Sequence, residues 1–203
     1  MSDPVEVLDF WISEIGPKGW FSGGEAVDMA CRDRFLDLWQ AAHDGGLGHW
    51  VEGPAGTLAY LVLTDQFPRN MFRGQARAFA TDARARAAAR RAVALGWDIA
   101  VPEPERTFFY LPFGHSEDLS DQEWSVELHA ARMVEDAEYL LHARAHREII
   151  ARFGRFPFRN AALGRATTPE EQDFLAAGAY PALVDRLRAG QQAGQEESHA
   201  PDA

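Results

Sequence analysis

Side chains with acid–base or charge-recognition chemistry gather at three places in the chain. His115-Ser116-Glu117-Asp118 sets an imidazole, a hydroxyl and two carboxylates in consecutive positions, the inventory needed for proton transfer. His115 is the expected base and Glu117 its expected partner, with Ser116 a hydrogen-bonding group for a ligand. The second place is a pair of related turns. Phe67-Pro68-Arg69-Asn70-Met71-Phe72-Arg73-Gly74 and Phe156-Pro157-Phe158-Arg159-Asn160-Ala161-Ala162-Leu163-Gly164 share a Phe-Pro start, an Arg-Asn pair and a closing glycine. In one reading Arg69, Arg73, Arg155 and Arg159 offer forks of donors to a carboxylate or phosphate, with Asn70 and Asn160 beside them. In the other, the same arginines satisfy carbonyls left open at helix ends. The third place holds His142 and His146, four residues apart. That spacing puts two imidazoles on one helix face. No glutamate directly follows His142 and no motif supplies a third ligand, so neither a metal nor a cofactor is expected. His146 is instead expected to bond a group between helices or a ligand, with Asp65 a possible partner, while Asp65 and Gln66 read as polar groups satisfied in the core.

The elements that position these groups read as helices. Asp3-Pro4 is an N-cap followed by proline at the first helical position, and Val5, Leu8, Trp11, Ile12 and Ile15 recur at helical spacing before Gly16-Pro17. Val27, Cys31, Phe35, Leu38 and Ala42 mark a second helix, stopped by His43-Asp44-Gly45-Gly46. Pro54 to Phe67 gives a third helix closed by Pro68, and Thr81-Asp82 opens an Ala/Arg-rich fourth that ends at Gly96. Glu105 to Phe113 reads as a short aromatic helix, and Ser120 with Glu123 as the capping box of the next. Leu141, Ala145, Ile149 and Phe153 share the face of a helix ended by Gly154, and Thr168-Pro169-Glu170-Glu171 caps another. Period-two alternation is absent, so the fold class is all-α, with antiparallel helical hairpins packed side by side. The duplicated Phe-Pro turns suggest a two-layer stack of tetratricopeptide type. Residues 1–190 read as one domain, and 191–203, without a large apolar side chain, as a disordered tail.

Composition narrows the function. Twenty basic against 31 acidic side chains give a net charge of -11, which repels polyanions and makes nucleic acid an unlikely partner. Asp3, Glu6 and Asp9 stand where a signal peptide needs positive charge. The apolar run Leu58 to Leu63 is far short of the roughly 20 residues that span a bilayer, so a cytoplasmic protein with no membrane partner is expected. The lone Cys31 excludes an internal disulfide and reads as packing. The six tryptophans read as core or hinge residues. Phosphate-cradling glycine loops, paired-cysteine metal motifs and nucleophile elbows do not occur.

Several long motifs, in order, carry a resemblance: VLDFW at Val7 to Trp11, DQFPRN at Asp65 to Asn70, FFYLPFGHSED at Phe108 to Asp118, and RFGRFPFRNAALGRATTPEE at Arg152 to Glu171. In these the chain resembles domain-of-unknown-function family 924, bacterial proteins with a tetratricopeptide-like α fold and no established activity. The resemblance implies that fold and assigns no chemistry. It also marks one departure, Phe158, where the family commonly has histidine. Two functions from different classes follow from the residues. One is a binding module whose groove, lined by Arg69, Asn70, Arg73, Arg155, Arg159 and Asn160, takes an anionic small molecule or peptide end. The other is an enzyme of hydrolase-like acid–base chemistry in the same groove, with His115 and Glu117 acting on a substrate held by the arginines. They part on whether the two Phe-Pro turns and the His-Ser-Glu-Asp corner share one pocket.

Overall fold

The computed structural model describes residues 3–198, with side chains of the last helix described through residue 190 and at 192. The described residues are helical and contain no strand, as the absence of alternation requires. In chain order the helices are α1 (Pro4–Leu8), α2 (Gly16–Trp20), α3 (Glu25–His43), α4 (Pro54–Leu61), α5 (Phe67–Met71), α6 (Asp82–Ala94), α7 (Leu111–Gly114), α8 (Leu119–Arg132), α9 (Ala137–Phe153), α10 (Pro169–Ala176) and α11 (Ala179–Ser198). The segment 191–203, expected to be a disordered tail, begins as a continuation of α11 to Ser198. Residues 199–203 lie outside the described residues.

Side-chain caps open α1, α8, α9 and α10. The Asp3 carboxylate accepts from the Val5 N–H at 2.9 Å, with Pro4 first in α1. Thr168 and Glu171 exchange both bonds of a capping box at the start of α10. At α8 the cap lies two residues earlier than the Ser120/Glu123 pattern suggests. Asp118 takes the cap by accepting from the Ser120 N–H at 2.8 Å, and the Ser120 hydroxyl also donates to it at 2.6 Å. A carboxylate accepts more strongly there than a hydroxyl.

Prolines behave differently from the simplest expectation. The chain does not stop at Pro68: α4 widens into a π turn over Val62–Gln66 and continues as α5. Pro68 occupies the start of α5, where its missing N–H leaves no bond unmade, and the π turn before it absorbs the change of register. The same sequence of events recurs at the amino end, where a π turn over Asp9–Ile15 precedes α2 and Pro17. The two Phe-Pro turns are therefore not structural copies. The first lies within a helix, whereas Pro157–Arg159 is a single 3-10 turn.

The main core is centred on aromatic rings from the amino-terminal third of the chain. Phe67 lies 5.4 Å from Trp11, 4.8 Å from Phe35 and 5.7 Å from Phe10 between ring centroids, and all four are buried. A second apolar cluster gathers Leu141, Ala145, Ile149 and Ile150 of α9 with Phe156 and with Leu183 and Val184 of α11. Helix α9 packs against both α8 and α11, so one of its faces serves this second cluster while the face of Tyr139, Ala143 and His146 is left for the cavity described below.

Thr81 ties three elements together. Its hydroxyl donates to the Thr64 carbonyl at 2.6 Å and accepts from the Trp39 indole N–H at 3.2 Å, all three groups being buried. Thr81→Val keeps the shape and removes both bonds. Urea denaturation is expected to show a loss of about 1–3 kcal/mol, the usual cost of orphaned buried polar groups; an unchanged midpoint would mean that these bonds contribute nothing.

Candidate functional site

A cavity of about 510 Å³ lies where α2, α5, α7, α8, α9 and α11 approach one another, within the size range, roughly 300–1,000 Å³, of small-molecule sites. Its walls are largely apolar and aromatic, with Trp20, Phe21, Leu111, Tyr139 and Tyr180 among them, and several histidines converge on it.

The π turn at Val62–Gln66 fixes the central polar group. Asp65 is 1% exposed, and a buried carboxylate survives only with partners on its oxygens. It has them: His115 Nδ1 at 2.8 and 3.0 Å, Gln66 Nε2 at 2.6 Å and Arg69 Nη1 at 3.2 Å. Burial alone pushes the carboxyl up. The Arg69 and His115 charges and the bonds from His115 and Gln66 outweigh burial and hold it at about 2.

His115 faces the cavity, as do Gln66 and Arg69. An ionised carboxylate only accepts, so Nδ1 carries the hydrogen and, in the neutral ring, Nε2 is left with its lone pair. Burial, then the Arg69 charge, lowers the ring below its ordinary value against the pull of Asp65, so it is neutral at pH 7. This is the arrangement of a general base set by a carboxylate. His146 stands beside it with ring centroids 5.9 Å apart, stacked on Tyr180 at 4.7 Å and edge-on to Phe156 at 5.6 Å. Burial, then the nearby His115 and Arg159 charges, pushes His146 well below its ordinary value. It lines the cavity as a neutral ring with no hydrogen bond to its nitrogens among the described residues.

The expected groups separate into two sets. Arg69, Asn70, Arg73, His115 and His146 line the cavity. Ser116, Glu117, Arg155, Arg159 and Asn160 do not. The pairing of His115 with Glu117 is corrected to Asp65, because Glu117 turns away to accept from Arg165 at 2.7 and 3.0 Å and from the Phe156 N–H at 2.8 Å. Consecutive residues at a helix corner point in different directions, whereas Asp65 is brought in from 50 residues away. Ser116 is buried and accepts from the Asp118 N–H at 3.2 Å. Arg155 and Asn160 both serve Glu171, at 2.6 and 2.9 Å and at 3.1 Å, and so close the second Phe-Pro turn against α10.

The arginine forks are mostly filled from within. Arg69 grips Asp82 with two bonds of 3.0 Å and also donates to the Asp65 carbonyl. Arg73 holds Asp28 with two of 2.8 Å. Arg159 lies over Phe156 at 4.4 Å and Phe79 at 4.6 Å, 3.9 Å from Asp82. An anion entering the cavity thus meets guanidinium groups already neutralised by carboxylates. Among the described residues no group of three or more His, Cys, Asp or Glu is placed to hold a metal ion, and no helix is long and apolar enough to cross a membrane.

Asp65, expected to satisfy a polar contact in the core or to meet His146, instead meets His115; its trace in the sequence is its place one helical turn before Arg69 in the DQFPRN run. Tyr180 leaves none, because only the path of the chain between α10 and α11 brings it to α9.

Comparison with known proteins covers the same ground. The family model of a bacterial protein of unknown function, DUF924, matches residues 7–179, a span holding Asp65 and the cavity histidines. A solved structure of a protein of unknown function from Agrobacterium tumefaciens is 46% identical, with a TM-score of 0.80, 85% of this chain and 96% of that chain being covered. No curated protein matches the chain.

Asp65→Asn leaves Arg69 and His115 facing a neutral amide, and chemical denaturation is expected to register a loss of about 3–5 kcal/mol, the cost of breaking a buried pair. Acid also destabilises. The unfolded chain binds protons at histidine near pH 6.5 while folded His115 and His146 resist them, so stability falls as pH drops below that value. The Asp65 contribution, complete above its unfolded value of 3.8, is then lost as pH falls toward 2. Histidine ¹⁵N spectra at pH 7 should show His115 neutral with its hydrogen on Nδ1; a hydrogen on Nε2 would contradict the assignment.

Proposed function

We propose that this chain, which belongs to the DUF924 family of bacterial proteins of unknown function, is a small-molecule enzyme of hydrolase-like acid–base chemistry. The observation that carries this reading is the Asp65–His115 pair, a buried carboxylate bonded at 2.8 Å to an imidazole that lines the cavity. In the proposed reaction, His115 Nε2 takes a proton from water as the water oxygen adds to a carbonyl carbon of an uncharged ester. Asp65 stays ionised, orients the ring and stabilises the imidazolium. His146, neutral and unbonded at its nitrogens, donates an N–H to the carbonyl oxygen as negative charge develops there. The His115 imidazolium then gives its proton to the departing alkoxide. An uncharged substrate with an apolar or aromatic part suits these walls, since the arginines that reach the cavity are held by Asp82 and Asp28.

The anion-binding module is the second reading, and one observation favours it. The buried Arg159 guanidinium makes no hydrogen bond among the described residues, its contacts being two aromatic rings and Asp82 at 3.9 Å. Arg159 does not line the cavity, which ranks this reading below the first.

p-Nitrophenyl acetate is a suitable first probe. His115→Ala is expected to lower kcat/KM by roughly 10²–10⁴-fold, the usual contribution of a general base, with circular dichroism unchanged. Because only neutral His115 is active, kcat/KM should rise with pH through a value below 6.5 and stay level above it. Turnover that survives His115→Ala would overturn the reading.

A further inference from the structure

Tyr180 reaches the cavity through an unusual piece of backbone. Ala179 has φ 51, the one positive value for a non-glycine among the described residues, and Gly178 before it has φ 96. A left-handed residue with a Cβ costs roughly 1–2 kcal/mol, and such strain persists where the surroundings demand it, often at functional sites. The two residues turn the chain between α10 and α11 so that the Tyr180 ring lies back on α9. It stacks on His146 at 4.7 Å and on His142 at 5.8 Å, with its hydroxyl 2.6 Å from His142 Nδ1.

The phenol is the better donor of the pair, so the Tyr180 O–H donates to Nδ1 and the ring hydrogen sits on Nε2, where Glu138 at 3.9 Å adds a longer-range attraction. The groups around the pair are His146 and Glu138 on α9 and, on α11, Arg188, which holds Glu138 at 2.7 Å. Burial pushes the Tyr180 phenol up and the His142 ring down, so both are neutral at pH 7. Both rings line the cavity; Tyr180 lies against the enclosed His146, and the His142 side chain is also 45% exposed. The pair therefore leads from the enclosed end of the cavity to its rim.

We propose that Tyr180 and His142 form a proton exit from the cavity. The proton of the product acid, carried by cavity water, passes to the phenol oxygen as the phenol's own hydrogen moves to His142 Nδ1 and Nε2 releases its hydrogen to solvent water; one proton enters and one leaves. Exchange of the exposed imidazole with solvent then returns the ring hydrogen to Nε2 while the hydroxyl turns back to Nδ1. The inference rests on the hydrolytic reading of the His115 site. The alkoxide takes the proton that His115 held, and at neutral pH the carboxylic acid formed in the cavity ionises, so each turnover leaves one proton there that would otherwise protonate His115 before the next water is activated.

Tyr180→Phe keeps the ring against His146 and removes the oxygen, and His142→Ala removes the outer half of the relay. With p-nitrophenyl acetate in dilute buffer each is expected to lower kcat about 10²-fold, with KM changed by less than about twofold. Added imidazole should restore both variants by carrying the proton itself, while wild-type kcat stays insensitive to it. Loss without rescue indicates a packing role and overturns the relay, as does wild-type kcat in Tyr180→Phe when His115→Ala is inactive. If His115→Ala stays active, the hydrolytic reading fails instead. A readout independent of turnover is the His142 tautomer by ¹⁵N spectroscopy: hydrogen on Nε2 in the wild type, a mixture in Tyr180→Phe. Hydrogen on Nδ1 in the wild type would overturn the direction of the relay whatever the activity.

Discussion

The ionised carboxylate of Asp65, enclosed where three stretches of chain meet, constrains everything around it. A group that is 1% exposed has no water to solvate it, so the protein must supply the donors. Gln66 comes from the same π turn, Arg69 from the next turn of helix and His115 from beyond α7. These demands explain why the helix widens at Val62–Gln66, since a π turn re-aims side chains that a regular α turn would direct elsewhere. The chain then continues at once as the Phe-Pro helix α5. Phe67 is sunk among Trp11, Phe35 and Phe10, and this anchoring holds the turn in place while Asp65 gathers its ligands.

Charge in this molecule is used mostly for closure. Arg69 on Asp82, Arg73 on Asp28, Arg155 on Glu171 and Arg165 on Glu117 each join segments distant in sequence through two bonds to one carboxylate. Bidentate pairs are directional as well as attractive, so they set how the loops after α5 and α9 lie. One consequence is chemical. Arginines that read as an anion cradle in the sequence are spoken for, and the rest of the cavity wall is mostly imidazoles, phenols and apolar rings, with the exposed Asp136 and Glu138 at its edge. A site of that kind favours proton transfer on uncharged groups over the capture of phosphate.

Helix α9 unites the two halves of this arrangement. Leu141, Ala145 and Ile149 give it a core face toward α11, and the neighbouring face presents His142 and His146, four residues apart, to the cavity. In the folded chain the two rings have separate tasks. His146 is enclosed beside His115, and His142 stands at the rim with its Nδ1 on Tyr180. Burial is the common cause of their neutrality, which is the state the proposed chemistry needs.

The helical class was legible in the sequence because apolar spacing and caps act over a few residues: Asp3-Pro4 and the Thr168/Glu171 box work as their local chemistry dictates. His115 was legible as a reactive type, and the DQFPRN and HSED runs marked the neighbourhoods that matter. Which carboxylate sets His115 was not, since the choice between Glu117, two residues away, and Asp65, 50 away, depends on how α5 and α7 pack. The same holds for the arginines, whose partners lie mostly on other segments, and for Tyr180, delivered to α9 by two left-handed residues. Local sequence determined helices, caps and the kinds of side chain on hand; tertiary packing alone decided their partners, because burial and charge neutralisation act through space.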